Sequence, residues 1–489
     1  MKFRIKYLIQ LLFIIIVDVI TYYLSLISAV FFDVNFKFLF NFYHILGENL
    51  KPFLFQLNYT LSIWWILVVH LASLQINKLY QIRYPFWEET KLLIKSASIS
   101  SGFVLLAILI RNMYGEISRS LFIWWWFFLV IFLPLFRFWG KKLLFNLGIW
   151  KEKALIIGSG EKAILTITGL SKEKHLGYEI VGILDEEVKG RNPKLTIAGK
   201  TYKIYKQAKA LDIFLKVMKI DTVFIAVQAM DSEKLTNLVN RVYKLVRRVI
   251  VIPDIKGIAI FNSELHYLFM EKLFMIKVNN NLNSFTNRLI KKTFDIVFSF
   301  VGLLVLLPFF LVIAILIKLT SKGPVFFKHK RIGKNGKEIY VYKFRTMYQD
   351  AEQRLKKLIK ENPAAREEWE KNFKLKNDPR VTFIGKIMRK TSIDELPQII
   401  NVLKGEMSLV GPRPVIKEEI DNYYKEFKQY YYSVDPGMTG LWQVSGRSDT
   451  DYDFRVQTDV WYVQNWSMWL DLMILFRTVG VVLRREGAY

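Results

Sequence analysis

Cysteine is absent from the 489-residue sequence, which excludes disulfide bonds, thiolate metal sites and a cysteine nucleophile. This absence does not fix the cellular compartment. A small-x-small cleavage site is also lacking after the basic N-terminus, where residues 1–6 run directly into a long apolar stretch. That stretch is too long for the apolar part of a signal peptide, so we interpret it as a retained membrane segment.

Acidic residues are scarce relative to basic ones. The 43 Asp and Glu against 70 Lys and Arg give a net charge of +27 and a pI of about 9.7. This balance favours anionic partners such as nucleic acid, lipid headgroups or phosphorylated substrates. A hydrophobic fraction of 52% and a mean hydropathy of +0.21 are high for a soluble protein, which favours lipid and phosphate over nucleic acid. The length allows two or three domains.

Four segments in the first 140 residues have the length and apolar character of transmembrane helices. They cover residues 7–31, 55–74, 92–110 and 121–138. A buried four-helix bundle is disfavoured because the segments are apolar on all faces. Basic residues precede the first segment, lie around the loop between the second and third, and follow the fourth. The positive-inside rule therefore predicts that the N-terminus and everything after Lys141 are cytoplasmic.

Residues 141–280 alternate between strand and helix patterns. The predicted strands cover 154–158, 178–184, 222–227 and 249–252, and a predicted helix covers 231–244. This alternation predicts a cytoplasmic Rossmann-like α/β domain with a parallel sheet.

The glycine-rich turn after the first of these strands has two interpretations. Gly158 and Gly160 resemble a dinucleotide fingerprint, but Ala163 stands in its last position and Asp185 lies farther along than a ribose-binding acid would. We favour a structural turn that lets helix and strand pack closely. Tyr202 and Lys206 have the spacing of a dehydrogenase pair, which is expected by chance in a chain this rich in Tyr and Lys.

A fifth apolar run, residues 294–317, has strong positive charge on both sides and Pro308 in its middle. Charge on both sides conflicts with a simple crossing. Proline removes a backbone donor and bends a helix, so we predict a re-entrant membrane helix over about 288–318 with its break at Pro308. The alternative is a kinked spanning helix, which would place the C-terminal third outside the cell.

The C-terminal third, residues 281–489, is predicted to be mostly helical. Residues 421–432 mix aromatic rings with lysines, which suits either the lipid headgroup layer or an amphipathic helix on a soluble core. Residues 461–482 are interrupted by Asp471 and Arg477, so we predict an interfacial segment rather than a spanning one.

Asp394 and Glu395 are the residues that best fit catalytic chemistry. Ser392 and Glu395 fit a capping box, and Pro397 fits a helix that begins slightly later, so a structural role is the simpler interpretation of these residue types. Several cations surround the pair in sequence, however: Lys343, Arg345, Arg380, Arg389 and Arg413. Carboxylates among such cations can hold a pyrophosphate and Mg²⁺ together. An ionised carboxylate can also attack phosphorus without a base.

Four motifs occur in order in this region: Lys343-Phe-Arg-Thr-Met347, Ser392-Ile-Asp-Glu-Leu-Pro-Gln398, Gly411-Pro-Arg-Pro414 and Pro436-Gly-Met-Thr-Gly-Leu-Trp-Gln-Val-Ser-Gly-Arg447. With them, the region from about residue 293 onward resembles the bacterial polyprenyl-phosphate sugar-1-phosphate transferases, the monotopic phosphoglycosyl transferases. The N-terminal helices and the Rossmann-like domain resemble the large subgroup that starts O-antigen, capsule or exopolysaccharide synthesis. The last eight residues are most similar to undecaprenyl-phosphate galactose phosphotransferases.

This resemblance implies a reaction in which Asp394 attacks the β-phosphate of a UDP-sugar, releases UMP and passes the sugar phosphate to undecaprenyl phosphate. Asp394 would also contact Mg²⁺, and Glu395 would assist the metal or the second half-reaction. The resemblance further implies a homodimer in the bacterial cytoplasmic membrane, with galactose as the expected hexose, glucose as the next candidate and no nucleic acid partner. The implied substrate- and phosphate-binding residues are Lys343, Arg345, Arg380, Arg389, Arg413, Gln443 and Arg447.

Two rival functions come from other classes of protein. A membrane-bound, NAD-dependent nucleotide-sugar dehydratase or epimerase would need a bound cofactor, which the imperfect glycine turn disfavours. A non-enzymatic scaffold for polysaccharide export would not need an acidic pair among arginines. The Rossmann-like domain is expected to be regulatory or dimer-forming.

Overall fold

A computed structural model describes residues 2–40, 64–110, 119–185, 188, 193–197, 199–206, 211–227, 231–253, 263–268, 273–362, 366, 378–446 and 451–484. The chain divides into two compact units, Met1–Lys256 and Gly257–Tyr489.

The first unit begins with four helices, α1 (Lys2–Phe40), α2 (Trp65–Ile76), α3 (Phe86–Ile110) and α4 (Arg119–Asn146). Three of them contain stretches long and apolar enough to cross a membrane. Helix α2 has only 12 residues, and the first part of the second predicted span lies outside the described residues. The described helices therefore agree with a membrane domain at the predicted places.

Buried charges hold these helices together. The Arg137 guanidinium on α4 donates to both carboxylate oxygens of Asp18 on α1, over 2.7 and 2.6 Å. Lys141 donates to Glu89 on α3 over 2.6 Å. Two cations and two anions thus neutralise one another in the helix bundle. Charges inside membrane helices are tolerated when they face the bundle interior and are paired, so this quartet fixes how the helices align.

The rest of the first unit is a six-stranded sheet of order β3-β4-β2-β1-β5-β6. All neighbouring strands are parallel except the β3–β4 pair. The strands are β1 (Glu152–Ile157), β2 (Tyr178–Leu184), β3 (Lys194–Ile197), β4 (Lys200–Tyr205), β5 (Thr222–Ile225) and β6 (Arg248–Val251), and the helices are α5 (Glu161–Lys172), α6 (Leu211–Val217) and α7 (Ser232–Tyr243). The predicted parallel α/β sheet is confirmed, whereas β3 and β4 were not predicted.

The glycine-rich turn after β1 is occupied by contacts within the protein. A Cβ added to Gly158 would lie 2.6 Å from the carbonyl oxygen of Ala226, so only glycine fits this approach to the end of β5. The Asp185 carboxylate accepts hydrogen bonds from the backbone N–H and hydroxyl of Ser159, at 2.8 and 2.6 Å. Tyr202 is a buried core residue. The glycine and the acidic residue at this turn therefore contact the protein's own backbone and side chains, as in a turn that serves to pack strand and helix closely.

The second unit contains a hairpin, β7 (Glu264–Leu268) and β8 (Leu273–Lys277), and then the 36-residue helix α8 (Phe285–Thr320). Helix α8 is about 54 Å long at 1.5 Å per residue. It is apolar enough to span a membrane, and its backbone stays helical across Pro308. Its re-entrant course stays a prediction.

Two buried contact regions pack α8 against the rest of the second unit. Near its N-terminus, Lys291 donates to Asp471 over 2.7 Å, and Asp295 accepts from the Ser408 hydroxyl over 2.7 Å. Near its C-terminus, Phe310 and the residues one turn beyond it enter an apolar core. The middle of the helix exposes large apolar side chains, as a helix in lipid does.

The remaining elements of the second unit are mostly short. They are β9 (Phe326–Ile332), β10 (Glu338–Phe344), α9 (Ala351–Glu361), α10 (Phe383–Lys390), α11 (Ile399–Leu403), β11 (Ser408–Val410), α12 (Lys417–Glu419), α13 (Lys428–Tyr432), β12 (Gly437–Thr439), α14 (Leu441–Ser445), α15 (Tyr452–Gln464) and α16 (Met468–Arg484). The β9–β10 hairpin is antiparallel and was not predicted.

Two predictions for this region need correction. Residues 461–482 do not form one segment, because α15 ends at Gln464 and α16 begins at Met468. Asp471 is buried and paired with Lys291, so it is a core residue rather than a break at the membrane surface. In residues 421–432, Tyr424 and Tyr431 are buried, which fits the alternative of a helix on a soluble core.

Candidate active site

A cavity of about 1090 Å³ in the second unit brings the predicted site residues together. Arg447 lies outside the described residues, and Pro308 does not line the cavity. The predicted residues that line the cavity are Lys343, Arg345, Arg380, Arg389, Asp394, Glu395, Arg413 and Gln443. The sequence motifs thus meet in one place although they span 100 residues of the chain.

A tight turn sets the two adjacent carboxylates at the cavity. Ser392 has a φ of 55°, a left-handed conformation that costs a non-glycine residue about 1–2 kcal/mol. A 3₁₀ helix, Ile393–Gln398, follows at once. The predicted capping box is wrong, because the Ser392 side chain caps nothing and the Glu395 side chain contacts cations instead. Strain of this kind is retained where the surrounding structure holds a functional turn.

Glu395 is clamped by two cations from different elements. Lys343 on β10 donates to its Oε1 over 2.7 Å, and Arg413, which follows β11, donates to the same oxygen over 3.2 Å. Two charged donors on one oxygen hold the carboxylate in one orientation. Glu395 therefore ties together three motifs that are distant in sequence.

Asp394 differs from Glu395 in its contacts. It forms no ion pair with any residue in the described part of the chain, although it lies beside Glu395. Burial and the negative charge of Glu395 raise the pKa of Asp394 to about 6, against the opposing effects of Lys343 and Arg389. The carboxylate is mostly ionised at pH 7, and its oxygens are available to a ligand.

The other predicted cations differ in the groups of the protein to which they already donate hydrogen bonds. Arg380 makes a two-pronged ion pair with Asp378, at 2.8 and 2.7 Å. Arg389 donates from Nε to the Thr346 hydroxyl over 2.9 Å and forms no ion pair with a described residue. Arg345 donates from Nη2 to the Ser321 carbonyl oxygen over 2.8 Å. Arg389 is therefore better placed than Arg380 to meet an incoming anion.

Several cavity residues were not predicted from the sequence, among them His329, Arg331, Trp442 and Arg455. His329 and Arg331 lie on the same face of β9, but its sequence, Phe-Phe-Lys-His-Lys-Arg-Ile, has no alternation of polar and apolar residues that could have marked them. Burial, Arg331 and Lys343 lower the pKa of His329 to about 4, so it is neutral at physiological pH. Arg455 lies on α15, outside the quoted motifs, and no sequence pattern marked it.

No group of three or more His, Asp or Glu side chains suited to a metal occurs within the described ranges. Mg²⁺ does not need such a group, because it binds through one or two carboxylates and completes its coordination with waters and substrate phosphates. Asp394, an unpaired carboxylate at the cavity wall, fits this requirement.

Family models match two parts of the chain: "Bacterial sugar transferase" over residues 286–485 and "CoA-binding domain" over 76–253. The undecaprenyl-phosphate galactose phosphotransferase of Salmonella typhimurium (strain LT2) is 40% identical, over 84% of this chain and 84% of its own length. The chain belongs to the bacterial sugar transferase family. The region matched by this family's model contains every predicted active-site residue.

Other bacterial sugar transferases are similar over somewhat different lengths. The UDP-galactose-lipid carrier transferase of Erwinia amylovora is 38% identical over 84% of each chain. The UDP-glucose:undecaprenyl-phosphate glucose-1-phosphate transferase of Escherichia coli K12 is 33% identical over 70% of each. Among solved structures, the Rex-family repressor RSP in complex with NADH is similar over 34% of this chain and 80% of its own, at 17% identity and a TM-score of 0.21.

Proposed function

We propose that this bacterial sugar transferase moves a sugar-1-phosphate from a UDP-sugar to undecaprenyl phosphate through a covalent aspartyl intermediate. The observation that carries the proposal is the contrast within one acidic pair. Glu395 forms ion pairs with Lys343 and Arg413, whereas Asp394 forms no ion pair with a described residue. Of the two, Asp394 is the carboxylate with oxygens free to react.

In the first half-reaction, an oxygen of Asp394 attacks the β-phosphorus of the UDP-sugar. The bond from that phosphorus to the bridging oxygen breaks, and UMP leaves with the electron pair. Because the attacking carboxylate is already ionised, no proton has to be removed. The product is an acyl phosphate that carries the sugar.

In the second half-reaction, a phosphate oxygen of undecaprenyl phosphate attacks the same phosphorus, and the Asp394 carboxylate leaves. The lipid now carries a sugar diphosphate, and the enzyme returns to its starting state. Lys343, Arg389 and Arg413 lie around the pair and would offset the charge that accumulates on the phosphate oxygens.

Mg²⁺ would be held by Asp394 together with substrate phosphate oxygens. When bound, the ion would supply positive charge to the phosphate oxygens. The Glu395 clamp keeps the neighbouring carboxylate in place, either to support the metal or to assist the second half-reaction.

Galactose is the proposed sugar, because two of the similar transferases are named for galactose, with glucose as the alternative. The proposed pathway is the synthesis of O-antigen, capsule or exopolysaccharide, and two further relatives are named exopolysaccharide production proteins.

We place the protein in the cytoplasmic membrane as a homodimer, with the catalytic unit on the cytoplasmic face. Helix α8 would be re-entrant, since basic residues flank it at both ends and Pro308 lies in its middle. The sheet of the first unit would be of Rossmann type, with a regulatory or dimer-forming role.

The test is the donor half-reaction. The purified protein, incubated with UDP-galactose and no acceptor, should release UMP and gain the mass of a hexose phosphate on Asp394. Asp394→Asn should abolish both. Asp453→Asn is the matched control, because Asp453 is exposed and does not line the cavity. UMP release that persists in Asp394→Asn would reject the nucleophile assignment.

A further inference from the structure

A buried guanidinium in the cavity has donors without acceptors. Arg455, in the first turn of α15, is only 7% exposed and lines the same cavity as Asp394. Its Nε and Nη2 atoms are buried and find no hydrogen-bond acceptor in the part of the chain that the structure describes. Buried charged donors are rarely left unsatisfied, so this arrangement calls for an acceptor that the protein itself does not supply.

Aromatic rings hold this guanidinium in place without using its donors. Its central carbon lies 4.8 Å from the ring centre of Trp442 and 4.9 Å from that of Tyr452. Cation–π contacts of this kind engage the face of the guanidinium and leave its N–H edge available. The side chain is thus pre-positioned for an anion at its edge.

The carboxylates nearest to Arg455 are engaged by other groups. Asp459 accepts a hydrogen bond of 2.6 Å from the Tyr424 hydroxyl, and Glu419 accepts one of 3.1 Å from the backbone N–H of Ile416. Neither forms an ion pair with Arg455 among the described contacts. The charges of Asp459 and Glu419 act on the guanidinium, but no described residue supplies an acceptor to its Nε and Nη2 atoms.

A second cation, Arg331 on β9, lies half-buried at the same cavity. Burial lowers the pKa of Arg331, and the nearby guanidinium groups of Arg413 and Arg455 act in the same direction, against the Glu419 carboxylate. The pKa of His329, which also lines the cavity, is lowered by burial and by Arg331. This part of the cavity thus brings together the guanidinium groups of Arg331 and Arg455, with Glu419 as the opposing carboxylate.

We propose that Arg455 and Arg331 form a phosphate subsite in the cavity, in addition to the cations that contact Glu395. The cavity, at about 1090 Å³, is slightly larger than the roughly 300–1,000 Å³ typical of ligand sites, so it has room for more than one bound phosphate. The subsite rests on the proposed function, which supplies two candidate phosphates. One is the nucleotide phosphate that leaves as UMP, and the other is the phosphate of undecaprenyl phosphate.

The test measures binding and not turnover. In the full-length Asp394→Asn protein, where the chemical step is blocked, affinities are measured for UMP and uridine, and for undecaprenyl phosphate and undecaprenol. Each pair of ligands differs only by the phosphate, so the ratio of affinities reports the phosphate contact. We expect the added change Arg455→Gln to lower one of the two ratios about 10- to 100-fold, as loss of charged hydrogen bonds does. The pair that responds identifies the source of the phosphate.

Further variants separate a phosphate contact from a structural role. A purely structural Arg455 would weaken each ligand and its phosphate-free analogue equally, which would leave both ratios unchanged and overturn the subsite. Arg331→Gln changes a less buried residue and should lower the same ratio, so it decides the matter if Arg455→Gln does not fold. Lys386→Gln removes one charge from an exposed position outside the cavity and should change neither ratio.

The affinity ratios test the subsite independently of the transfer reaction. Absence of an aspartyl adduct in the unmodified protein would reject the proposed function and leave the ratios to be judged on their own. Unchanged ratios in both arginine variants would reject the subsite, whatever the adduct experiment shows.

Discussion

Asp394→Asn should make the protein more stable at neutral pH while it abolishes activity. The folded protein holds the pKa of Asp394 at about 6, above its ordinary value of 3.8. A carboxyl group whose pKa is raised by folding favours the folded state fully only below its unfolded pKa. That contribution is lost as the pH rises through about 6. At pH 7.5 the ionised Asp394 therefore destabilises the fold, and a neutral asparagine removes this cost.

The size of the effect follows from the difference between the two pKa values. A difference of about 2 units at 1.36 kcal/mol per unit gives an upper limit of about 3 kcal/mol. Asp394 is partly exposed, so solvent screening lowers the expected gain to about half of that. For a unit of this size the gain corresponds to an increase in Tm of about 3–6 °C.

The assay is thermal unfolding of the detergent-solubilised protein at pH 7.5 and pH 4.5. The stabilisation should be present at pH 7.5 and mostly absent at pH 4.5, where the unmodified Asp394 is protonated in the folded state. Glu395→Gln is the matched comparison with the opposite sign. It removes the negative charge that pairs with Lys343 and Arg413 and should lower Tm. An Asp394→Asn variant less stable than the unmodified protein at pH 7.5 would refute the reasoning.

Two further predictions concern the reaction and the fold. The rate of UMP release without acceptor, at low donor concentration, should fall about tenfold per unit as pH drops below about 6, because Asp394 becomes protonated. His329 titrates near 4 and cannot produce this dependence, so a flat profile between pH 5 and 7 would count against the Asp394 assignment. Lys291→Met should lower the unfolding free energy by about 3–5 kcal/mol, because it leaves Asp471 buried without its cation. The double variant Lys291→Met with Asp471→Leu should recover most of that loss, and no recovery would show that the pair is not coupled.

Much of the fold could be predicted from hydrophobic patterning alone. Long apolar runs marked α1, α3, α4 and α8 because lipid requires about 20 apolar residues in succession. The strands of the parallel sheet were found because both of their faces are buried and they read as apolar runs. Strand β4 was missed because its sequence, Lys-Thr-Tyr-Lys-Ile-Tyr, is interrupted by exposed polar residues and does not form an apolar run, as suits a strand next to the sheet edge.

The acidic pair and its basic neighbours could be predicted because the two carboxylates are adjacent in the sequence and the cations lie in short, recognisable motifs. How each cation is used could not be read from the sequence. Arg380 pairs with Asp378 two residues away, whereas Arg389 is left without an ion pair among the described residues. Arg455 is a typical helical arginine in the sequence, and only the packing of Trp442 and Tyr452 around it shows a separate role.

The buried quartet of the first unit also constrains how the chain enters the membrane. Asp18 is 119 residues ahead of its partner Arg137, and Glu89 is 48 residues ahead of it. At synthesis rates of about 5–20 residues per second, Asp18 is made roughly 6–24 s before the guanidinium that neutralises it. A lone carboxylate is costly in lipid for that interval. Until Arg137 follows, the first helix carries a carboxylate without its guanidinium partner, and docking of the fourth helix removes that cost.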